Sequence, residues 1–97
     1  MAEKEELKVE GATVPVYRYE KDGTVYYEFD TSQLGPPEPM VNALSVLKLI
    51  DSPNKRAVMI NHKKPMGLFD KISDRFDYKI EEINGKYRIE FWLKGNK

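Results

Sequence analysis

Two short runs rich in β-branched and aromatic residues dominate the pattern of residues 14–30, "VPVYRYEKDGTVYYEFD". Asp22 and Gly23 lie between the runs, and this dipeptide readily adopts the positive φ angles of a two-residue hairpin turn. Pairing through that turn sets Val16 opposite Phe29 on one face of the predicted hairpin. The tyrosines directed to the other face are Tyr17, Tyr19 and Tyr26.

Two helical patterns follow the first hairpin. Apolar residues recur at helical spacing in "EPMVNALSVLKLID", residues 38–51, and Pro39 suits the first turn because its missing N–H would have no partner there. The predicted inward stripe of this helix is Met40, Ala43, Leu44, Leu47 and Ile50. The segment "PMGLFDKISDRF", residues 65–76, predicts a shorter helix that Gly67 weakens. Its predicted inward residues are Met66, Phe69, Ile72 and Phe76.

The remaining patterns predict strands. The run "RAVMIN", residues 56–61, is short and nearly all apolar, which is typical of a central strand. Asn84-Gly85 is the strongest turn signal in the chain and predicts a terminal hairpin. Its register joins apolar with apolar residues and opposite charges with each other: Ile80 with Ile89, Tyr78 with Phe91, Phe76 with Leu93, Lys79 with Glu90, and Glu81 with Arg88. Trp92 then falls on the charged face.

The predicted order is β-β-α-β-α-β-β. Because each amphipathic helix has one apolar face to bury, the predicted fold class is α+β: a two-layer α/β sandwich in which a mixed sheet carries two helices on one face. Residues 1–12 predict a flexible acidic lead of weak helical or disordered character, and residues 13–97 predict a single domain. Pro15 cannot donate a ladder hydrogen bond, so we expect the first strand of the domain at a sheet edge.

The order also predicts where a ligand would bind. The strands at residues 24–30 and 56–61 flank the first helix, so we expect them to be parallel, with their carboxyl ends at the same edge of the sheet. Two loops meet at that edge, residues 33–39 and residues 61–67. The crevice outside the carboxyl ends of parallel strands is the usual ligand position, since helix N-termini bring N–H donors and partial positive charge to it.

The composition excludes several classes of chemistry. The 97 residues contain no cysteine, which rules out disulfides, thiolate metal ligands and cysteine nucleophiles. Basic and acidic residues balance at sixteen each, so nucleic acid is a disfavoured partner. The first ten residues are charged and no apolar stretch of about 18 residues occurs, so we expect no membrane partner and a cytoplasmic location.

The helix opening at residues 36–39 carries a family resemblance. This Pro-Pro-Glu-Pro, with "INHKKP" at residues 60–65 and the terminal hairpin, resembles the TusA/SirA-like sulfur-carrier superfamily over about residues 25–94. The resemblance implies a β-α-β-α-β-β domain. The carriers open this helix with Cys-Pro-x-Pro, whose cysteine bears the persulfide, whereas here Pro36 stands at the cysteine position. The chain thus resembles a cysteine-lacking branch of the superfamily, a fold without an assigned chemistry, and sulfur transfer is not expected.

The candidate ligand-binding residues are Pro36, Pro37, Glu38, Pro39, His62, Lys63 and Lys64. In this hypothesis Glu38 and Pro39 shape the helix start, while backbone N–H groups of both helix openings donate hydrogen bonds to a small anion or a partner segment. His62 and the lysines supply positive charge. Residues 31–97 hold twelve basic and eight acidic residues, so an anionic ligand is expected to prefer this part of the chain.

His62 keeps several interpretations open. As the only histidine it could be a general base, a metal or haem ligand, a phosphate contact, or a loop residue that holds the strand end by hydrogen bonds. The neighbours that could join it on a metal are Met40, Met66, Glu38 and Asp30. Both methionines suit core filling better, so we expect no metal and no cofactor. Thr31 and Ser32 lie across the predicted crevice but are ordinary turn residues, so no catalytic residue is predicted.

A second candidate surface is aromatic and consists of Tyr17, Tyr19, Tyr26 and Trp92. We expect it on the sheet face opposite the helices, where it could bind a protein partner or a second copy in a homodimer. Alternatively, the aromatic pairs only stabilise the hairpins. The leading hypothesis is a non-catalytic binding or regulatory module that uses the crevice. The alternative is a protein–protein component of a sulfur-relay or redox pathway that binds through the aromatic face.

Overall fold

In the computed structural model, which describes residues 3–95, six strands form one mixed sheet and two helices pack on it. The elements in chain order are β1 (Glu5–Leu7), β2 (Val16–Lys21), β3 (Thr24–Asp30), α1 (Glu38–Leu47), β4 (Lys55–Asn61), α2 (Met66–Ile72), β5 (Phe76–Ile83) and β6 (Lys86–Leu93). The sheet order is β1-β2-β3-β4-β6-β5, and β3 and β4 are parallel. Buried residues of both helices and of the strands form one core, so the predicted α+β sandwich is confirmed.

Both predicted hairpins form in the predicted register. Val16 pairs with Phe29 in the first hairpin, and Ile80 pairs with Ile89 in the second. The φ angles of the turn residues are 54° at Asp22, 83° at Gly23, 52° at Asn84 and 81° at Gly85. Positive φ at both central residues gives a turn whose twist matches that of the flanking strands, which is why these dipeptides predict the pairing so well.

The N-terminal segment differs from the prediction. β1 lies within residues 1–12 and pairs antiparallel with β2, so the predicted helical or disordered character is wrong for residues 5–7. β1 occupies the sheet edge, and the edge position predicted for β2 from Pro15 is therefore wrong as well. Pro15 precedes the first residue of β2, where it interrupts no ladder hydrogen bond. A three-residue strand is too short to produce a period that a sequence pattern could reveal.

α1 buries more of its circumference than the predicted stripe. Of the predicted stripe, Ala43 and Leu47 are buried, Met40 and Leu44 are half-buried, and Ile50 is buried but lies beyond α1, which ends at Leu47 and is therefore shorter than predicted. Three residues on the other flank are buried as well, namely Asn42, Ser45 and Val46. The segment from Val9 to Val14 lies over that flank, where Gly11 approaches Ser45 and the N–H groups of Thr13 and Val14 donate to Asn42. At its closest approach, a Cβ on Gly11 would lie 2.5 Å from Ser45 Oγ, and φ is 90° there, so this position requires glycine.

Asn42 ties the same segment to α1. Its Oδ1 accepts hydrogen bonds from the backbone N–H groups of Thr13, at 2.7 Å, and Val14, at 3.3 Å. Its Nδ2 donates to Thr13 Oγ1 and to the carbonyl oxygen of Glu38, both at 2.9 Å. The Asn42 side chain is fully buried, and both its oxygen and its nitrogen are hydrogen-bonded. Because its partners at residues 13 and 14 are far away in sequence, Asn42 fixes the N-terminal segment against the helix.

α2 is shorter than the predicted helix. It ends at Ile72, and Phe76 is buried as the first residue of β5 instead of the last turn of a helix. Leu68, Phe69 and Ile72 face the core, whereas Met66 is 61% exposed, so its predicted inward position is wrong. Phe69 and Ile72 face inward as predicted, and Leu68 takes the inward position that was predicted for Met66. None of the helices in the described part of the chain is long and apolar enough to cross a membrane.

Candidate ligand-binding crevice

Two polar residues join the carboxyl ends of the parallel strands. Thr31 Oγ1 donates to Asn61 Oδ1 at 2.9 Å, and the N–H of Thr31 donates to the carbonyl oxygen of Ile60 at 2.8 Å. Asn61 Nδ2 then donates to the carbonyl oxygen of Lys63 at 2.9 Å. Thr31 and Asn61 are both buried. This network holds the loop that carries His62 next to the end of β3, as the parallel order of the strands predicted.

A crevice of about 230 Å³ opens at this edge of the sheet. Six of the seven predicted ligand-binding residues line it, all except Glu38. The further lining residues are Met40, Asn61, Pro65, Gly67 and Leu68. The structure thus brings the loop at residues 36–39 and the loop at residues 61–65 together, with the start of α1 on one side and the start of α2 on the other. The Pro36-Pro37 peptide bond is cis.

Glu38 does not line the crevice, which corrects its place in the predicted set. Its Oε1 accepts a hydrogen bond of 3.2 Å from Thr13 Oγ1, so the carboxylate belongs to the contact between α1 and the N-terminal segment. The sequence carried no signal for this contact because Thr13 lies 25 residues away. Glu38 nevertheless stands in the first turn of α1, where a carboxylate interacts favourably with the helix dipole.

The floor of the crevice is mainly apolar. Prolines, half-buried Met40 and fully buried Leu68 supply most of it. Met40 was predicted as a core residue and was considered as a neighbour of His62 on a metal, but it was not predicted to line the crevice, because no local pattern distinguishes a core methionine from one that lines a cavity. Full burial of a single apolar side chain contributes about 1.5–3 kcal/mol, which is the upper limit for an occupant of an open crevice.

The helix openings present fewer donors than the sequence predicted. Pro37 and Pro39 have no N–H group, and the N–H of Glu38 donates to the carbonyl oxygen of Gly35 at 3.1 Å. At the start of α2, the N–H of Met66 donates to the backbone carbonyl oxygen of Lys64, and the N–H of Leu68 donates to the backbone carbonyl oxygen of Pro65, each at 3.0 Å. The prolines and turns at both openings therefore leave little of the N–H array that usually binds an anion.

The rim of the crevice is basic. The exposed side chains of His62, Lys63 and Lys64 surround its mouth, and within residues 3–95 no carboxylate forms an ion pair with any of them. Lys64 Nζ lies 5.7 Å from the centroid of the Tyr87 ring, which holds one charge beside the opening. The crevice thus combines an apolar floor with positive charge that is free to meet an acidic group.

The hydroxyls near the crevice have structural partners. Thr31 Oγ1 belongs to the strand-end network, and Ser32 Oγ donates to Asp30 Oδ1 at 2.6 Å. The N–H of Ser32 donates to the same carboxylate oxygen at 2.8 Å, which closes a local turn. Neither hydroxyl is hydrogen-bonded to His62. In the described chain, no group of three histidine, aspartate or glutamate side chains could hold a metal ion.

The aromatic surface lies on the sheet face opposite the helices, as predicted, but charged side chains cover much of it. Tyr19 and Tyr26 stack with ring centroids 5.2 Å apart, and Lys4 lies over the Tyr19 ring at the same distance. The Arg56 guanidinium lies 4.5 Å from the centroid of the Trp92 ring. Tyr17 is the most exposed of the four predicted residues, at 36%. Cation–π contacts of this kind reduce the apolar area available to a partner.

Glu90 is the centre of the charge network on this face. It is 6% exposed, and its carboxylate accepts hydrogen bonds from Arg56 at 2.6 Å and from Arg88 at 3.3 Å. Burial raises the pKa of Glu90, but the hydrogen bonds from Arg56 and Arg88 outweigh it and hold the pKa below its ordinary value. The pattern of the terminal hairpin predicted Lys79 as the neighbour of Glu90 but gave no sign of Arg56, because the pairing of β4 with β6 has no local signal.

The fold and the crevice together define a two-layer α+β protein with an apolar, basic-rimmed crevice at the carboxyl ends of β3 and β4. Comparison of the chain with protein-family models, with curated proteins and with solved structures gave no match. The resemblance to the TusA/SirA-like superfamily therefore stays a prediction.

Proposed function

We propose that the protein is a non-catalytic binding module whose crevice receives one apolar side chain from an acidic segment of a partner protein. The observation that carries this proposal is the combination, in one crevice, of an apolar floor and a rim of His62, Lys63 and Lys64. The apolar floor favours a hydrophobic anchor, and the rim favours acidic residues beside that anchor.

The size of the crevice supports a side chain as the occupant. Pockets for small organic ligands usually measure about 300–1,000 Å³, and this crevice of about 230 Å³ is smaller. A leucine or phenylalanine side chain would gain at most about 1.5–3 kcal/mol there, the value for full burial. Each exposed charge contact at the rim adds up to about 1 kcal/mol, so a short segment should bind weakly.

A small inorganic anion is the less favoured occupant. The prolines at both helix openings remove N–H donors, and backbone carbonyl groups engage most of the others. Exposed lysines alone hold an anion weakly, since solvent and salt screen them. Neither hydroxyl of Thr31 or Ser32 is paired with His62, which supports a binding role over a catalytic one.

We also propose a TusA/SirA-like relationship and a cytoplasmic location. The element order from β3 to β6 is β-α-β-α-β-β, and residues 36–39 lead into α1, where the sulfur carriers have their motif. The 97 residues contain no thiol, so a module of this kind would bind a partner of the carriers' type without receiving sulfur.

Methionine methyl groups offer a direct test by NMR. Met40 lines the crevice, Met59 is buried in the core and Met66 is exposed outside the crevice, so the last two serve as internal controls. The probe is a blocked pentapeptide, Glu-Glu-Leu-Glu-Glu. We expect it to shift the Met40 methyl signal and the His62 ring signals, and we expect Glu-Glu-Ser-Glu-Glu and Lys-Lys-Leu-Lys-Lys to shift them much less.

Charge reversal at the rim provides the matched variants. Lys63→Glu with Lys64→Glu should weaken binding of the acidic peptide by about tenfold at low salt. Lys48→Glu with Lys71→Glu changes the same charge at exposed positions outside the crevice and should leave binding unchanged. If sulfate moves the His62 signals while no peptide moves Met40, the occupant is a small anion. If nothing moves Met40 or His62, the crevice is not a binding site.

A further inference from the structure

The two edges of the sheet differ in how well they are protected. β1 has three residues, two of them glutamates, and a short charged edge resists pairing with another strand. β5 has eight residues without proline or glycine. Its register with β6 runs unbroken from Phe76 opposite Leu93 to Ile83 opposite Lys86, so no bulge twists this edge away. β5 is therefore the edge at which a further strand could add.

The hairpin geometry identifies the free backbone groups of β5. In a two-residue hairpin, the residues that flank the turn form a hydrogen-bonded pair, so Ile83 and every second residue before it bond to β6. The N–H and C=O groups of Tyr78, Ile80 and Glu82 consequently point away from β6. Within residues 3–95, β6 is the only strand that pairs with β5, so these groups face solvent.

The charges along β5 alternate in sign on one face, from Asp77 through Lys79 to Glu81. If two copies of β5 pair antiparallel about Ile80, Lys79 of each copy lies opposite Glu81 of the other. If the pairing is centred on Lys79 or on Glu81, like charges lie opposite each other, which is destabilising. Side-chain charge thus favours self-pairing in a defined register over the registers next to it.

Two of the five large apolar residues that are exposed in the described part of the chain lie on this edge. Tyr78 and Ile83 are 38% and 47% exposed, and both belong to β5. The Tyr78 ring stacks on Phe69 of α2 with centroids 3.8 Å apart, so its position is fixed by the helix layer. Antiparallel pairing centred on Ile80 would place Ile80 of one copy directly opposite Ile80 of the other. Tyr78 of each copy would then lie on the same face, one on either side of this isoleucine pair.

We propose that two copies of this chain associate through β5, antiparallel and centred on Ile80, so that their two sheets become one. The pairing uses the seven residues from Asp77 to Ile83 of each copy. No residue of β5 lines the crevice, so both crevices stay open in the dimer and this proposal stands independently of the proposed function. A single strand pair buries little area, so we expect an affinity in the micromolar to millimolar range.

Sedimentation equilibrium over a concentration series tests the association. The unmodified chain should dimerise, and Lys79→Glu should raise the dissociation constant at least tenfold, since it sets like charges opposite each other. Adding Glu81→Lys should restore dimerisation. Lys86→Glu changes an exposed charge on β6 and should have no effect. A chain that stays monomeric into the millimolar range would overturn the proposal, and rescue by Asp77→Lys in place of Glu81→Lys would overturn the register.

Disulfide cross-linking through a single introduced cysteine provides a second test of the dimer, and this test does not require that the Lys79→Glu variant folds stably. In a chain without cysteine, Ile80→Cys introduces the only thiol. The two Cα atoms of the central pair would lie roughly 5.5 Å apart, within the range that a disulfide spans. Ile83→Cys is the control, because its two copies would lie about 20 Å apart at ~3.4 Å per residue. Equal cross-linking of both variants would refute the central position of Ile80.

Discussion

Replacement of Asn42 by alanine is expected to loosen the N-terminal segment from α1. The substitution removes the acceptor for the N–H groups of Thr13 and Val14 and the donor to Thr13 Oγ1 and the Glu38 carbonyl. A buried polar group left without a partner costs about 1–3 kcal/mol. Two N–H groups lose their partner in a partly buried site that water can partly reach, so we expect the free energy of unfolding to fall by about 2–4 kcal/mol.

Ser45→Ala is the matched control for Asn42→Ala. Ser45 is buried on the same flank of α1, but its Oγ donates to the carbonyl oxygen of Val41 one turn earlier in the same helix. Loss of that bond leaves the N-terminal segment with all its partners, so the expected cost is below about 1 kcal/mol.

Urea unfolding measures both changes, with Trp92, the only tryptophan, as the fluorescent probe. Amide hydrogen exchange at Thr13 and Val14 locates the effect, because their protection should fall in Asn42→Ala more than that of residues in β4. If Asn42→Ala costs no more than Ser45→Ala, the segment from Val9 to Val14 is not held by Asn42 and the reasoning is refuted.

Two further predictions concern the charge network and the crevice. Glu90→Gln should lower stability near neutral pH by about 1–2 kcal/mol, because Arg56 and Arg88 lose a buried carboxylate. The folded-state pKa of Glu90 lies below its ordinary value of 4.5. The difference in unfolding free energy between the wild type and Glu90→Gln should therefore be complete above pH 4.5 and should vanish as the pH falls through the folded-state pKa. A difference that stays constant in acid would contradict this. Gly67→Ala should leave stability unchanged or raise it by up to about 1 kcal/mol, since the new Cβ would lie 3.2 Å from the flexible end of Met40. The same methyl group narrows the crevice and should weaken peptide binding, and a melting temperature several degrees lower would show that Met40 cannot adjust.

Local patterns were sufficient where the chemistry is local. Asp22-Gly23 and Asn84-Gly85 set both hairpin registers, because a turn with two positive φ angles connects strands in only one way and side chains alternate with a period of two. The βαβ order then made β3 and β4 parallel and placed the loops of the crevice at one edge. The sequence therefore determined the fold class and the meeting of the proline-rich loop with His62.

Tertiary structure decided the contacts between segments that no turn or βαβ connection relates. The burial of Asn42, the contact of Glu38 with Thr13, and the pairing of Arg56 with Glu90 all join residues 25 or more positions apart. The hydrophobic pattern of one segment states which face is buried, but not what covers that face. Only the folded chain shows that the N-terminal segment covers α1 and that an apolar floor underlies the basic rim. Both arise from packing between segments whose local sequence patterns do not indicate which other segment they will contact.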